Sequence, residues 1–288
     1  MDWPIAFRGL RHKGMTDAQD LWFDTAVSKL SDPQNQRVWS VIVSLFGDLA
    51  QQKGASINGQ TLTQIITPMG IKPEAIRVAL HRLRKDGWID STRSGRASVH
   101  FLTESGRSQS AAVTPRIYAR EIAPPTEWHL AIAEDGQSAM LDGLLEQADY
   151  VSVNRCTALG LGKATSLARD LLVVHNPDLA VPEWLQRRLF PEDLRVTCSD
   201  LDVTLAELNS ARCGLAIDEQ LSAAQIATLR TLIVHRWRRV VLRHPDLPLS
   251  LHPDDWRGEP CRRRVAELLE ALPRPTLAAN GDLAGTAD

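Results

Sequence analysis

Apolar positions follow three regimes along the chain. Between residues 37 and 102 they recur at helical spacing in short blocks, then alternate. Between 128 and about 200 they form short runs broken by turns, and from 223 to 272 helical spacing returns. The first regime predicts a compact helical unit ending in a hairpin. "RVWSVIVSLFGDLAQQ", residues 37 to 52, is apolar almost all round, which predicts a buried helix. Ser56 is placed to cap a second helix in "INGQTLTQIITPM", which Pro68 and Gly70 close. "KPEAIRVALHRLRKDG" predicts a third, over residues 73 to 86. Pro73 suits its first position, Glu74 its first turn, Arg84 and Lys85 its last turn, and Gly87 its stop. One stripe of this helix is apolar (Ile76, Ala79, Leu80, Leu83). The opposite stripe is cationic (Arg77, His81, Arg84). "GWIDST" and "ASVHFLT" read as strands joined by a tight turn at Ser94-Gly95, with Arg93 and Arg96 beside it.

A helix capped by Thr103 and interrupted near Pro115 follows, then a linker at "APPT", residues 123 to 126. The second regime predicts strands in "EWHLAIAE", "YVSVNRC", "RDLLVVHN" and "DLRVTCSDL". Helices are expected in "GQSAMLDGLLEQAD" and "VPEWLQRRLFP". That order resembles the β-α-β-β-α-β split motif. "ALGLGKATS", residues 158 to 166, lacks phosphate-loop spacing because Ala164 separates Lys163 from the Thr165 hydroxyl, and it reads as a loop. The third regime predicts one long helix through "AAQIATLRTLIVHRWRRVVLRH", a proline-rich loop, and a last helix in "CRRRVAELLEAL". Residues 1–35 form a polar lead-in with one helix, capped by Thr16, whose face holds Ala18, Leu21, Thr25 and Leu30. Residues 273–288 form a small, polar, disordered tail. The expected units are therefore a winged helix-turn-helix at 36–122, a ferredoxin-like domain at 127–210 and a helical domain at 215–272, an α+β chain overall.

Charge sharpens the picture. Residues 1–120 carry 16 Lys+Arg against 10 Asp+Glu, and the remainder 17 against 25. A basic first part on an acidic second part implies that only the first meets a polyanion. The four cysteines form no C-x-x-C pair, the histidines no H-x-x-x-H pair, and no apolar run approaches the ~20 residues of a membrane span. The first residues lack a signal-peptide core, so a cytoplasmic location is expected. Neither metal nor cofactor is expected. A helix with one cationic face beside a hairpin carrying arginines fits duplex DNA, although a cationic stripe can also be simply solvated. The first half of the helix would reach base edges, through Lys72, Glu74, Arg77, Val78 and His81. Arg77 is the best base reader, because guanidinium bonds guanine O6 and N7 together. Arg84, Lys85, Arg93 and Arg96 would hold phosphates.

"VWSVIVSLFGD", "GIKPEAIRVALHRLRKDGWI" and "GRASVHFLTESGR" resemble segments of the PaaX family of transcriptional repressors. So does the closing stretch "HRWRRVVLRHPDLPLSLHPDDWRGEPCRRRVAELL". The resemblance implies a dimeric cytoplasmic repressor of aromatic, phenylacetate-type catabolic genes. It also implies that an aryl-CoA thioester, phenylacetyl-CoA in the best-known members, releases the operator. Arg236, Arg239 and Arg243 share a helix face, so they are the candidate holders of the CoA phosphates, with Trp256 stacking on a ring of the effector. The competing reading pairs these arginines with acids such as Asp246, Asp254 and Asp255. A regulator answering to another aromatic acid or its CoA ester is one alternative. Another is a metal-dependent nuclease on the middle domain. Glu134 and Asp135 end its first strand, where ferredoxin-like CRISPR-associated nucleases can hold a metal.

Overall fold

The computed structural model describes residues 19–32, 37–94, 97–123, 125–147, 149–164, 170–175, 180–215, 221–243 and 246–284. The chain is α+β, with two antiparallel sheets and a helical majority. Helix α1 covers residues 19–30. Its buried side is Trp22, Phe23, Ala26, Val27 and Leu30, whereas Leu21 is 68% exposed. Of the expected stripe, Leu30 is buried and Ala18 lies outside the described residues, whereas Leu21 and Thr25 are exposed, because the two aromatics outweigh Leu21 in apolar area. Thr16 lies outside the described residues.

Helix α2, Val38–Leu49, is buried on most sides, as its apolar sequence requires. Strand β1, Ile57–Asn58, then precedes α3, Gly59–Ile66. The cap of α3 is Asn58 rather than Ser56: its side chain accepts from Thr61 N at 2.9 Å. Helix α4, Pro73–Lys85, has Pro73 in its first turn, and Gly87 follows at φ +73°. Strands β2, Ile89–Ser94, and β3, Ala97–Leu102, pair from Ile89↔Leu102 to Ser94↔Ala97. β1 joins the other side of β3. Helix α5, Glu104–Tyr118, is capped by Thr103 and continues through Pro115.

The middle sheet has the order β5-β6-β4-β7, with β4 Trp128–Ile132, β5 Tyr150–Asn154, β6 Thr157–Leu161 and β7 Leu172–His175. Two expectations fail here. Residues 158–161 are expected in a loop and lie in β6, paired on both sides. Gly160 is required there: a Cβ on it would come within 2.4 Å of Tyr150 and 2.5 Å of His129. Residues 193–201 were read as the last strand and lie inside a 24-residue helix, α8, Glu192–Leu215. The helix expected after β4 is reduced to a 3₁₀ turn and the four-residue α6, Asp142–Leu145. Helix α7, Glu183–Leu189, covers one face of the sheet with Leu185, Leu189 and Phe190.

Helices α9, Ala223–Val241, and α10, Gly258–Ala271, complete the chain. Ser222 and Gln225 form a reciprocal capping box at the start of α9. Buried side chains of α1 to α4 and of α8 to α10 belong to one continuous core. The bond across it is ionic. Asp48 of α2 is 1% exposed and accepts from Arg230 Nε and Nη2 of α9, both at 2.8 Å. Arg230 Nη1 also donates to the carbonyls of Leu269 and Leu272, at 2.8 and 2.5 Å. Tyr118 Oη donates to Asp48 at 2.9 Å, and burial together with that carboxylate pushes its phenol well above the usual range.

The tail is not disordered in its first half. Asn58 N donates to Gly281 O at 3.0 Å, and Asn58 Nδ2 donates to Asp282 Oδ1 at 2.5 Å. Gly281 sits at φ +79° with Asn58 N and Ile57 backbone so close that a Cβ would clash. Residues 276–284 thus pack on the start of α3 through backbone bonds, which composition does not report.

Asp48→Ala strands a buried guanidinium and should cost ~3–5 kcal/mol in urea unfolding. Replacing both partners with apolar residues (Asp48→Leu with Arg230→Met) should recover most of that. A single-substitution loss below ~1 kcal/mol would remove the pair as the joint between α2 and α9.

Candidate nucleic-acid interface

Helix α4 is held from one side only. Ile76, Ala79, Leu80 and Leu83 are buried in the shared core. Lys72, Glu74, Arg77, Val78, His81, Arg84 and Lys85 are exposed. Val78, at 71%, is among the most exposed large apolar side chains in the described residues. Arg77 donates to Glu74 one turn earlier at 2.8 Å, and both are about 70% exposed. That pair is weak in water and leaves the guanidinium free to exchange partners.

The second half of the helix leans on the hairpin. Arg84 Nη1 reaches Ser91 Oγ of β2 at 3.3 Å. Arg82, which sequence reasoning did not single out, lies 5.5 Å from the Trp39 ring centre and pairs with Asp86 at 3.4 Å. Its signal was present as a cation one residue off the Arg77–Arg84 stripe. Arg93 is exposed near the end of β2. Arg96 lies outside the described residues. Lys72, Arg77, Arg84 and Lys85 are thus exposed cations on α4 or its cap, His81 is exposed on the same helix, and Arg93 is exposed on β2.

The three arginines assigned to an effector each have a partner on or beside another helix. Arg236 Nη1 donates to Lys29 O at 3.0 Å, Arg239 pairs with Asp32 at 3.0 Å, and Arg243 pairs with Asp193 at 2.6 Å. These three arginines brace α9 against the end of α1 and the start of α8. The acids proposed as their partners are engaged elsewhere: Asp246 with Arg116 and Arg262, and Asp255 with Arg195. Trp256 lies apart from them. Its ring is 4.9 Å from Phe190 and 6.5 Å from His252. It lines a cavity of about 350 Å³ with Trp237, Arg262 and Arg263, to which Arg236, Arg239 and Arg243 do not contribute. Trp237 and Arg262 were visible in "HRWRR" and "CRRR", but only the fold closes the 25-residue gap between them.

Glu134 and Asp135 are exposed at the turn after β4. Among the described residues no three His, Cys, Asp or Glu side chains gather as a metal site. No described helix is long and apolar enough to cross a membrane.

Comparison with known proteins bears on both ends of the chain. Residues 37–106 match the family model "PaaX-like protein", and residues 205–278 match "PaaX-like protein C-terminal domain". Together the two matches span half of the chain. The transcriptional repressor PaaX of Escherichia coli (strain K12) is 25% identical over 270 residues, which cover 83% of this chain and 81% of that protein. Among solved structures, the uncharacterized protein Rv0674 from Mycobacterium tuberculosis aligns with a TM-score of 0.45 at 20% identity, over 81% of this chain and 93% of that one.

Proposed function

The chain belongs to the PaaX family, and from that premise we propose that it is a transcriptional repressor of phenylacetate-type catabolic genes that occupies operator DNA with α4 and the β2–β3 hairpin. The observation that carries this reading is the exposed face of α4, with Arg77 and Val78 flanked by Lys72, His81, Arg84 and Lys85. A helix this cationic, presented beside a three-stranded sheet in the order β1-β3-β2, fits the winged helix-turn-helix reading, with α4 in the major groove. Val78 and Arg77 would read bases. Arg84, Lys85, Arg93 and Arg96 would hold phosphates. The order β5-β6-β4-β7 supports a ferredoxin-like middle unit.

A homodimer belongs to the proposal, because two copies of α4 on a palindrome multiply the discrimination of one half-site. So does release by an aryl-CoA thioester, which must bind the free protein more tightly than the DNA-bound form. A different aromatic acyl-CoA would work through the same logic. The nuclease alternative has only two exposed carboxylates behind it.

Arg77→Ala should cost ~1–3 kcal/mol on the operator and much less on unrelated duplexes, by fluorescence anisotropy at fixed salt. Equal losses on both would reduce Arg77 to a phosphate contact. Arg93→Ala with Arg96→Ala should weaken binding to every duplex alike and flatten the log K against log salt slope by at most about two phosphate charges. An unchanged slope would take the hairpin out of the interface.

A further inference from the structure

The end of α5 is where the DNA-facing unit leaves for the rest of the chain, and the wall of one cavity holds it. Trp237 Nε1 donates to Ile117 O at 3.1 Å, and Arg262 Nη1 donates to Arg116 O at 2.7 Å. Arg116 in turn donates to Asp246 Oδ2 at 3.1 Å and to Val241 O at 2.6 Å. Arg262 also contacts Asp246 at 3.2 Å and lies 5.2 Å from the Trp237 ring centre. Trp237, Arg262, Asp246 and Val241 all line the same cavity of about 350 Å³. So does the segment 120–122, which runs directly on from α5. Anything seated there touches the anchor of the DNA-facing unit.

The lining says what would sit there. Trp256 offers an indole surface, and Ile122, Leu249 and His252 line the space beside it, so a flat aromatic group is favoured. The buried cation of the lining is engaged: Arg262 is tied to Asp246, and Arg120 nearer the surface is tied to Glu270 at 3.0 Å. Glu121 and Glu259 also face the space. A free carboxylate would lose its hydration there and gain no spare buried cation, which disfavours it. An uncharged acyl ester incurs no such cost. Arg263 is exposed at this wall and has no partner among the described residues, so it can take the anionic remainder of a longer ligand outside.

We propose that this cavity is the effector site: it takes the aromatic acyl end of a thioester against Trp256, and its occupant acts on DNA binding by disturbing the Arg116–Asp246–Arg262 anchor of α5. The assignment rests on the effector reading above and moves the site away from Arg236, Arg239 and Arg243.

Phenylacetyl-CoA, phenylacetate and CoA serve as probes, with calorimetry on the DNA-free full-length protein and anisotropy on its operator. Phenylacetyl-CoA should bind, with phenylacetate and CoA each at least tenfold weaker. Leu249→Trp puts bulk into the cavity from a position 52% exposed, so the fold should survive. It should weaken the ester at least tenfold and leave DNA affinity without ester unchanged, whereas Arg239→Ala should leave ester binding unchanged. Ester binding intact in Leu249→Trp, or lost in Arg239→Ala with an unchanged melting temperature, overturns the placement. Operator binding by the wild type with no response to any probe overturns the effector reading, and this assignment with it. No operator binding at all overturns the repressor reading instead.

Discussion

Asp48 and Arg230 meet 182 residues apart in sequence, both almost out of contact with water. Burying two such ions costs several kcal/mol each, and attraction alone rarely repays it. Here each group is satisfied. The carboxylate accepts from Arg230 twice, from Tyr118, and from Arg274 at 3.3 Å. The guanidinium gives its other bonds to the carbonyls ending α10. Only one seating of α9 against α2 meets all these partners, so the pair specifies orientation as well as contact. Arg238 Nη1 on Ser44 Oγ at 2.9 Å fixes the same seating about two turns on, and Thr228 Oγ1 on Ile65 O at 2.8 Å ties α9 to α3 two residues before Arg230.

The cationic face of α4 is therefore presented by a body that includes the C-terminal helices, not by a separate module on a tether. This matters for the release proposed above. A tethered reader could stay bound whatever happens to the rest of the chain. A reader sharing its core with α9 and α10 feels a change at their other end. The α5 anchor lies on that route: Trp237 of α9 and Arg262 of α10 both bond its last turn. A tenfold loss of operator affinity needs a differential of only about 1.4 kcal/mol, no more than one charge-assisted hydrogen bond.

Much of the DNA-facing unit was legible in the sequence because its signals are local. Pro73, Glu74 and Gly87 bracket α4, and alternation marks β2 and β3. The cap of α3 was missed by two residues because Ser56 and Asn58 are equally good caps. Only the pairing of Ile57 and Asn58 with β3 decides between them. Alternation misled at residues 193–201, where Leu194, Val196 and Cys198 imitate a strand. The longer pattern Leu194, Cys198, Leu201, Leu205, Leu208 is helical, and all five are buried along α8. Arg236, Arg239 and Arg243 were visible as a cluster, but their partners Lys29 in α1, Asp32 just past it and Asp193 in α8 lie beyond the reach of any periodicity.

Native-state hydrogen exchange of the full-length protein tests the shared body most directly. Amides of α2, α9 and α10 should exchange at one common free energy, close to that of global unfolding, and should fall together in Asp48→Ala. Exchange of α2 through an opening several kcal/mol below that of α9 would mean that the DNA-facing unit unfolds alone. That would contradict the account.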